Sequence, residues 1–376
     1  MIRYSESPIR VAHIMGKMLG GGVETVVMNY YRHIDRSKVQ FDFLVDADST
    51  LVPREEIESL GGRVFEIPSY QRVLEYQKAL VSLLERGEWQ IVHSHINALS
   101  VFPLRAAKKA GVPVRIAHSH STSGKGEHVK NVMKAVLKMQ ANRYPTHRFA
   151  CSEFAGEWLF GKHADFEVVY NAIDLQRFSF NAEARAKARA DLGLVGGQFA
   201  IGHVGRFMPQ KNHAFLVDAF EQVAMRRDDA VLLLVGSGEA EARVESSVAE
   251  RGLAGRVRFL GQRADMPDLY SAFDAFVLPS LYEGLGLVGV EAQRAGLPCL
   301  LSDRITREVD VTGECQFLPI DDAKVWADAI LGLAAGSKTG HRFVDANDFI
   351  DYDIEKQGVW LTGKYLGLIK KEVIGR

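Results

Sequence analysis

The sequence has 376 residues, of which 47% are hydrophobic, enough to form the cores of two domains of ordinary size. Its 46 basic and 47 acidic residues give a formal net charge of -1, so composition offers no reason to expect a nucleic-acid partner. The cysteines are few and odd in number, and they lack metal-ligand spacing, which favours a reducing compartment over a disulfide framework; they are Cys151, Cys299 and Cys315. No apolar run reaches the roughly 18 residues of a membrane span. Since MIRYSESPIR lacks a signal-peptide pattern, the expected location is the cytoplasm.

Short runs of β-branched and aromatic residues alternate with longer amphipathic stretches in the first half of the chain. This alternation predicts a parallel sheet covered by helices on both faces, and therefore an α/β class. A representative predicted helix is EYQKALVSLLERG, in which Leu80, Leu83 and Leu84 fall on one stripe. The predicted strands are, in chain order, IRVAHIM, VQFDFLV, RVFEIP, QIVHSHI, VRIAHSH, RFACS and FEVVYN.

The same alternation begins again in the second half and predicts a second doubly wound domain. A polar stretch at residues 170–185 separates the halves, so we predict domains at residues 1–175 and 176–352. The predicted strands of the second domain are FAIGHVG, AVLLLVGSG, RVRFLG, AFVLPS, PCLLSD and CQFLPI.

The last segment, residues 353–376, is predicted to form a helix. Its apolar stripe of Val359, Trp360 and Leu368 is expected to pack on a neighbouring element. Periodicity does not indicate which domain supplies that element.

Residues that directly follow a strand have priority as site candidates, because ligands of open parallel sheets bind beyond the carboxyl ends of the strands. Two facing sheets therefore predict a central cleft as the ligand site. In the first domain, Gly20, Gly21 and Gly22 follow the first strand and precede a helix that opens at about Val23. Such glycines let backbone amides approach a pyrophosphate, although a plain turn explains the triplet equally well. The spacing differs from GxGxxG, so a nicotinamide cofactor has little support.

A cationic pair follows the first strand of the second domain, in HVGRFMPQKNH. Arg206 can bind two phosphate oxygens at once, and Lys211 supplies a mobile charge five residues later. Together they can neutralise a diphosphate leaving group. Either residue alone would more often be a solvated surface charge, and their position at a strand end favours the functional interpretation.

Two glutamates lie in PSLYEGLGLVGVEAQRAGLP, where a strand is followed by a helix predicted to begin near Leu285. Glu283 precedes the helix, and the amides of Leu285, Gly286 and Leu287 at its N-terminus form a second anion site. Eight residues at roughly 100° each return Glu291 to within about 80° of the face of Glu283. Both carboxylates can then accept hydrogen bonds from vicinal hydroxyls of one ligand. The alternative is a pair of ordinary charges on a helix surface.

Two histidine doublets follow strands of the first domain, His93 with His95 and His118 with His120. Alternate strand residues share a face, so each doublet can point into the same site. The HxH pattern is compatible with zinc, but no carboxylate or cysteine completes a ligand set, so no metal site is predicted. Hydrogen bonding to a sugar or an acceptor hydroxyl is favoured instead.

These motifs, taken together, resemble those of the retaining GT-B glycosyltransferases of group 4, and most of all the bacterial exopolysaccharide-type members. The matching elements run in family order over essentially the whole chain. They are GKMLGGGVETVVMN, VHSHI, IAHSHS, YNAID, GHVGRFMPQKNH, VLPSLYEGLGLVGVEAQRAGLPCLLSD and the late YDI segment.

The resemblance implies two Rossmann-like domains, the first binding the acceptor and the second a nucleotide-sugar donor, with the C-terminal helix crossing back to the first. It implies that Arg206 and Lys211 hold the diphosphate. It also places Glu291 at the ribose and Glu283 at the transferred sugar. His118 or His120 would lie near the reacting sugar, and spacing leaves both open. The implied donor-binding residues are Gly21, Gly22, Arg206, Lys211, Glu283, Gly284, Leu285, Gly286, Leu287 and Glu291, and the implied catalytic residues are Glu283, His118, His120, Arg206 and Lys211.

The implied reaction is hexosyl transfer with retention, from a UDP- or GDP-sugar to a saccharide or lipid-linked acceptor, in exopolysaccharide or other cell-surface glycan synthesis. No metal or other cofactor is expected. A same-face mechanism is preferred, in which the leaving phosphate helps to deprotonate the acceptor. Lipid-linked acceptors would bring the enzyme to the inner membrane face as a peripheral protein. The alternatives are a nucleotide-sugar epimerase and a non-catalytic protein that binds a sugar or nucleotide.

Overall fold

Parallel strands form a separate sheet in each half of the chain. The computed structural model describes residues 7–120, 137–336 and 342–374, with side chains up to residue 370. The chain divides into unit 1, residues 1–174 with 351–376, and unit 2, residues 175–350. These limits lie beside the predicted boundaries at residues 175 and 352. Each of the thirteen predicted runs overlaps one of the strands in the described part of the chain.

Unit 1 has a seven-stranded sheet of order β3-β2-β1-β4-β5-β6-β7, and all of its strand pairs are parallel. Strand β2 is buried at every position, as expected for a central strand covered on both faces. The strand order reverses between β1 and β4, and such a switch point is where ligands bind in open α/β sheets. The strands are β1 Ile9–Gly16, β2 Val39–Asp46, β3 Arg63–Ile67, β4 Ile91–Ser94, β5 Val114–Ser119, β6 His147–Ala150 and β7 Glu167–Val168.

The helices of unit 1 pack on this sheet through aliphatic faces. In the helix Val73–Arg86, Tyr76, Leu80 and Leu84 recur at spacings of four residues and are buried, which is the stripe of an amphipathic helix. The helices are α1 Gly22–His33, α2 Arg54–Ser59, α3 Val73–Arg86, α4 Val101–Lys109, α5 Glu153–Phe160 and, at the end of the chain, α12 Ile354–Ile374.

Unit 2 has a six-stranded parallel sheet of order β10-β9-β8-β11-β12-β13. Its core places Leu232 and Leu234 of the sheet against Phe220 and Trp326 of the helices. The strands are β8 Phe199–Val204, β9 Ala230–Val235, β10 Val257–Phe259, β11 Ala275–Leu278, β12 Cys299–Ser302 and β13 Gln316–Leu318. The helices are α6 Ala182–Asp191, α7 His213–Ala224, α8 Glu241–Glu250, α9 Met266–Ala272, α10 Leu287–Arg294 and α11 Ala323–Gly336.

Helix α12 packs on α1, β2 and β5, so the end of the chain completes unit 1. The predicted stripe of this helix is wrong at two positions, because Val359 is 73% exposed and Trp360 is 38% exposed. The buried face instead contains Leu361, Tyr365 and Leu368, which recur at three and four residues. No helix in the described ranges combines the length and apolar character needed to cross a membrane.

Candidate active site

The predicted cationic pair lies in the loop that connects β8 to α7. Arg206 is exposed, and no residue in the described part of the chain forms an ion pair or hydrogen bond with its guanidinium group. Lys211 ends a short 3-10 turn, Pro209–Lys211, and its stem passes over Gly205. A Cβ atom on Gly205 would lie 2.9 Å from Cδ of Lys211, so the glycine leaves room for the lysine. The loop therefore presents one free and one packed cation.

Lys211 is paired with Glu283, an interaction that the separate roles predicted for the two residues did not include. Its Nζ lies 2.6 Å from Oε1 of Glu283, and the two side chains are only 14% and 10% exposed. The pair forms because β8 and β11 are neighbours in the sheet, so the loops that follow them meet. The ammonium group is thus already compensated before any ligand binds, and the two residues act as one unit.

Gln210 is a functional candidate that the sequence reasoning missed. Its Nε2 donates to the Tyr282 carbonyl at 2.8 Å and to Oε2 of Glu283 at 3.2 Å. The backbone carbonyl of Gln210 accepts from the Leu281 amide at 2.8 Å. Gln210 therefore joins the β11 loop to the β8 loop through its backbone and its side chain, and its side chain fixes the Glu283 carboxylate. The available signal was its place beside Lys211, directly after a strand.

Helix α10 begins at Leu287, two residues later than predicted. Gly286 precedes it with φ 91°, a left-handed conformation that cannot belong to the helix and that favours glycine. Gly284 and Leu285 are buried in the preceding loop. The amides available for an anion are therefore those of Leu287 and the following residue, because an α-helix leaves its first amides without intrahelical partners.

Glu291 is buried inside unit 2, with 6% of its surface exposed. The hydroxyl of Tyr270 donates to its Oε2 at 2.8 Å, which leaves Oε1 for a ligand. Burial raises the pKa of Glu291 to about 7, although the Tyr270 hydrogen bond opposes that rise. Because Glu283 is bonded to Lys211 and Gln210, the two glutamates have different partners.

The glycines of unit 1 lie in the loop between β1 and α1, as predicted, and the Glu24 carboxylate lies beside them. Gly21 caps α1, which begins at Gly22, one residue before the predicted start. Oε1 of Glu24 accepts from the Leu19 amide at 3.0 Å, and a Cβ atom on Gly21 would lie 2.8 Å from the same carboxylate. A carboxylate therefore already complements this helix N-terminus. The approach of Gly21 and Gly22 to donor phosphates stays a prediction.

The two histidine doublets and His13 form one buried cluster at the switch point between β1 and β4. His13 and His93 are direct cross-strand partners, and the β4–β5 register brings His95 beside His118. The hydrogen bonds of the cluster form two short chains. The first chain joins His118 Nδ1 to His93 Nε2 at 3.0 Å and His93 Nδ1 to the Tyr365 hydroxyl at 2.7 Å. The second chain joins His120 Nε2 to His95 Nδ1 and His95 Nε2 to His13 Nδ1, both at 2.9 Å.

All five imidazoles of the histidine cluster are neutral at pH 7. Burial lowers the pKa of His13 and of His120 to about 3, and it holds the pKa values of the other three well below the ordinary value. Within the described residues, His13 Nε2, His118 Nε2 and His120 Nδ1 have no hydrogen-bond partner. A cavity of about 20 Å³ lies against all five rings and Tyr365, which is room for about one water molecule.

The cluster also supplies the third metal ligand whose absence argued against a metal site. His13, His93 and His95 form one candidate ligand triad, and His95, His118 and His120 form another. Each triad offers three ring nitrogens within 4.8 Å of one another. A third histidine therefore takes the place of the carboxylate or cysteine that neither doublet has.

The chain has two parallel α/β units. The second unit carries cations and a buried carboxylate beyond the carboxyl ends of β8 and β11. These features together define a GT-B class enzyme. Family profiles agree with this class. The profile described as Glycosyltransferase Family 4 matches residues 20–177, and the one described as Glycosyl transferases group 1 matches residues 198–335.

Two relatives extend the match to most of the chain. EpsF of Bacillus subtilis (strain 168), a protein named as a glycosyltransferase, is 39% identical over 351 residues, covering 90% of this chain and 91% of EpsF. The UDP-Gal:α-D-GlcNAc-diphosphoundecaprenol α-1,3-galactosyltransferase of Escherichia coli is 30% identical, covering 80% of this chain and 81% of that enzyme. The chain belongs to glycosyltransferase family 4 and is a transferase, so these relatives give no support to an epimerase or to a non-catalytic binding protein.

Solved structures match the same fold. The Anabaena Alr3699/HepE structure in complex with UDP-glucose has a TM-score of 0.73 and 20% identity, and the alignment covers 98% of this chain and 99% of that one. The lipopolysaccharide glycosyltransferase WaaG has a TM-score of 0.69 and 15% identity, covering 97% and 99%. At these identities the likeness concerns the GT-B fold, which confirms the predicted fold class.

Proposed function

We propose that the enzyme moves a hexose from a uridine diphosphate sugar to a lipid-linked saccharide, with retention of the anomeric configuration. The observation that carries the proposal is the Lys211–Glu283 pair beside Arg206. It places a compensated lysine, a fixed carboxylate and a free guanidinium in adjoining loops of unit 2.

The diphosphate would bind Arg206 and the first amides of α10. Its approach would supply a second negative partner for Lys211, so the ammonium would be shared between Glu283 and the leaving phosphate. Negative charge on the departing diphosphate is then met by groups already in position, which is electrostatic stabilisation without reorganisation. Glu283, held by Gln210, would accept hydrogen bonds from the transferred sugar.

Glu291 would hold the ribose of the donor. Its Oε1 faces no competitor from Tyr270, and a carboxylate accepts the paired hydroxyls of a ribose well. A uridine donor is supported by the UDP-glucose complex of Alr3699/HepE and by the UDP-Gal in the name of the Escherichia coli relative.

A same-face mechanism fits the surroundings of Glu283. Both of its carboxylate oxygens are engaged, one by Lys211 and the other by Gln210, and such engagement makes a carboxylate a poor nucleophile. We therefore propose that the leaving phosphate takes the acceptor proton and that no covalent glycosyl-enzyme forms. The transfer step would need no metal or other cofactor, since Arg206, Lys211 and the helix amides neutralise the diphosphate.

The acceptor would bind unit 1, where His118 or His120 would contact the reacting sugar. His120 is the better placed of the two for this role, because it is 8% exposed and His118 is 2% exposed. A lipid-linked acceptor is supported by the diphosphoundecaprenol substrate in the name of the Escherichia coli relative. Such an acceptor would bring the enzyme to the cytoplasmic membrane face as a peripheral protein, within exopolysaccharide or related glycan synthesis.

Donor binding and product analysis test this proposal. UDP-galactose, UDP-glucose and GDP-mannose are compared by thermal shift, and transfer to a polyprenyl diphosphate GlcNAc acceptor is followed by NMR of the new anomeric proton, without added magnesium or manganese. We expect stabilisation by a UDP-sugar and a product with the anomeric configuration of the donor. An inverted product, or a trapped covalent glycosyl-enzyme, would contradict the mechanism.

Arg206→Ala tests the donor site itself. Loss of a charge-assisted contact worth about 1.5–3 kcal/mol weakens UDP-sugar binding about 10-fold to 150-fold. Arg243→Ala is the matched control, because Arg243 is another exposed arginine of unit 2, on α8. Equal donor affinity in the two variants would remove Arg206 from the site.

A further inference from the structure

We propose that the histidine cluster of unit 1 binds one divalent transition-metal ion of the zinc and cobalt class, with His95, His118 and His120 as ligands. These three residues offer ring nitrogens that all lie within 4.8 Å of one another. The site consists of residues of unit 1 and includes none of the proposed diphosphate-binding residues of unit 2. It shares His118 and His120 with the proposed acceptor site, and a bound metal ion goes beyond the proposed transfer.

The spacing of the ring nitrogens is close to that of a tetrahedral site. His95 Nδ1 and His120 Nε2 are 2.9 Å apart. Two nitrogens bound at about 2.0–2.1 Å to a tetrahedral zinc ion are about 3.3 Å apart, so the two rings must separate by a few tenths of an ångström and turn until both lone pairs meet at the ion. The proton that the rings share is released to solvent when the ion binds. Nε2 of His118, which has no hydrogen-bond partner among the described residues, supplies the third lone pair.

The remaining hydrogen bonds of the cluster hold two of the three ligands, His118 and His95, in the required tautomer, whereas Nδ1 of His120 has no acceptor among the described residues. With His118 bound through Nε2, its Nδ1–H donates to His93 Nε2 at 3.0 Å, and His93 Nδ1–H donates to the Tyr365 hydroxyl at 2.7 Å. With His95 bound through Nδ1, its Nε2–H donates to His13 Nδ1 at 2.9 Å. Metal-binding histidines in proteins are oriented in this way by an acceptor for the second ring nitrogen.

The composition of the cluster selects the class of ion. Its donors are imidazole nitrogens, which suit zinc, cobalt, nickel and copper, whereas magnesium and calcium prefer oxygen ligands. The cavity of about 20 Å³ has room for about one water molecule, which would be the fourth ligand, with the ion held between the ring nitrogens.

Cobalt binding to the full-length protein tests the proposal. The chain, freed of any affinity tag and dialysed against a chelator, is titrated with Co²⁺ and followed by its visible absorption. We expect the intense band of tetrahedral cobalt, saturating at one ion per chain and lost on addition of Zn²⁺. A cluster that holds only a water molecule gives no such band at one equivalent, and that result would overturn the proposal. This readout does not depend on transferase activity, so it fails or succeeds independently of the proposed function.

Variants identify the ligands. Loss of a group that is hydrogen-bonded to a ligand weakens metal binding by about 10-fold to 100-fold, so the loss of a ligand itself in His118→Gln or His120→Gln is expected to weaken Co²⁺ binding by at least about 100-fold. His163→Gln is the control, since His163 is exposed and outside the cluster. Unchanged binding in both ligand variants refutes the assignment. Where a variant does not fold, X-ray absorption of the cobalt-loaded wild type decides, because three imidazole ligands are required and fewer exclude the site.

Discussion

Replacement of Glu291 by glutamine is expected to stabilise unit 2 at alkaline pH while weakening donor binding. Burial raises the pKa of this carboxyl in the folded protein to about 7, against an ordinary value of 4.5. Between these pH values the unfolded chain releases the proton and the folded chain retains it. Stability therefore falls as pH rises from about 4.5 to about 7, and it stays at the lower level above that range.

The size of this effect follows from the same two values. A pKa of about 7 against 4.5 corresponds to about 3 kcal/mol, at about 1.4 kcal/mol for each pH unit. A glutamine cannot ionise, and its amide oxygen still accepts from the Tyr270 hydroxyl. For a unit of this size about 3 kcal/mol raises the midpoint of unfolding by about 6–12 °C, so this is the gain expected for Glu291→Gln at pH 8.

Calorimetry of the wild type and of Glu291→Gln at pH 5 and pH 8 measures the effect, with Glu250→Gln on the exposed face of α8 as the matched control. We expect a gain at pH 8 that shrinks strongly at pH 5, together with a raised dissociation constant for the UDP-sugar. An equal loss of stability at both pH values would refute the reasoning, because it would show that the carboxylate is ionised and stabilising in the folded state.

Three further predictions concern the paired loops and the histidine cluster. Lys211→Met leaves the Glu283 carboxylate buried without its cation and lowers the free energy of unfolding of unit 2 by about 3–5 kcal/mol. Adding Glu283→Gln should recover part of that free energy in denaturant unfolding, and a double variant whose loss equals the sum of the two single losses would contradict the pairing. Gln210→Ala removes two hydrogen bonds and frees Glu283, so we expect a loss of turnover of about tenfold or more, equivalent to about 1.4 kcal/mol, with donor affinity nearly unchanged. Unchanged turnover with weakened donor affinity would exclude a positioning role for Gln210. Acidification from pH 6.5 toward 3 should destabilise unit 1, because the unfolded chain then binds protons that the neutral histidine cluster excludes. Hydrogen exchange resolved by unit should show unit 1 opening at a higher pH than unit 2, because burial also lowers the pKa values of His203 and His213 in unit 2 but the cluster of unit 1 holds five such histidines.

The strands were predictable from the sequence because central parallel strands are continuous apolar runs between polar segments. The start of α10 was not, since helix periodicity extends through Leu285 and only the left-handed backbone of Gly286 delays the first turn. Lys211 and Glu283 were each predicted as site residues because each lies in a loop that follows a strand. Their pairing depends on β8 and β11 being neighbours, which is a property of the sheet order and not of either motif.

The hydrogen-bond and ion-pair partners of the candidate site residues were harder to predict than the candidates themselves. Tyr270 is an aromatic residue on an amphipathic helix, a pattern that ordinarily indicates core packing, so nothing marked it as the partner of Glu291. His13 carried no HxH pattern and joins the cluster only because β1 and β4 are adjacent in register. Ion pairs and hydrogen bonds between distant segments depend on the strand order of the sheet. Local sequence periodicity does not predict that order.

The packing of α12 has a consequence for synthesis of the chain on the ribosome. Unit 2 is one continuous segment, residues 175–350, and can complete its core as soon as that segment has emerged. Unit 1 must wait for residues 351–376, because Tyr365 is fully buried in it and bonds His93. The part of the enzyme that is translated first is therefore the last to reach its final form. In a nascent chain halted at residue 350, unit 1 lacks α12, and its histidines are not covered by that helix.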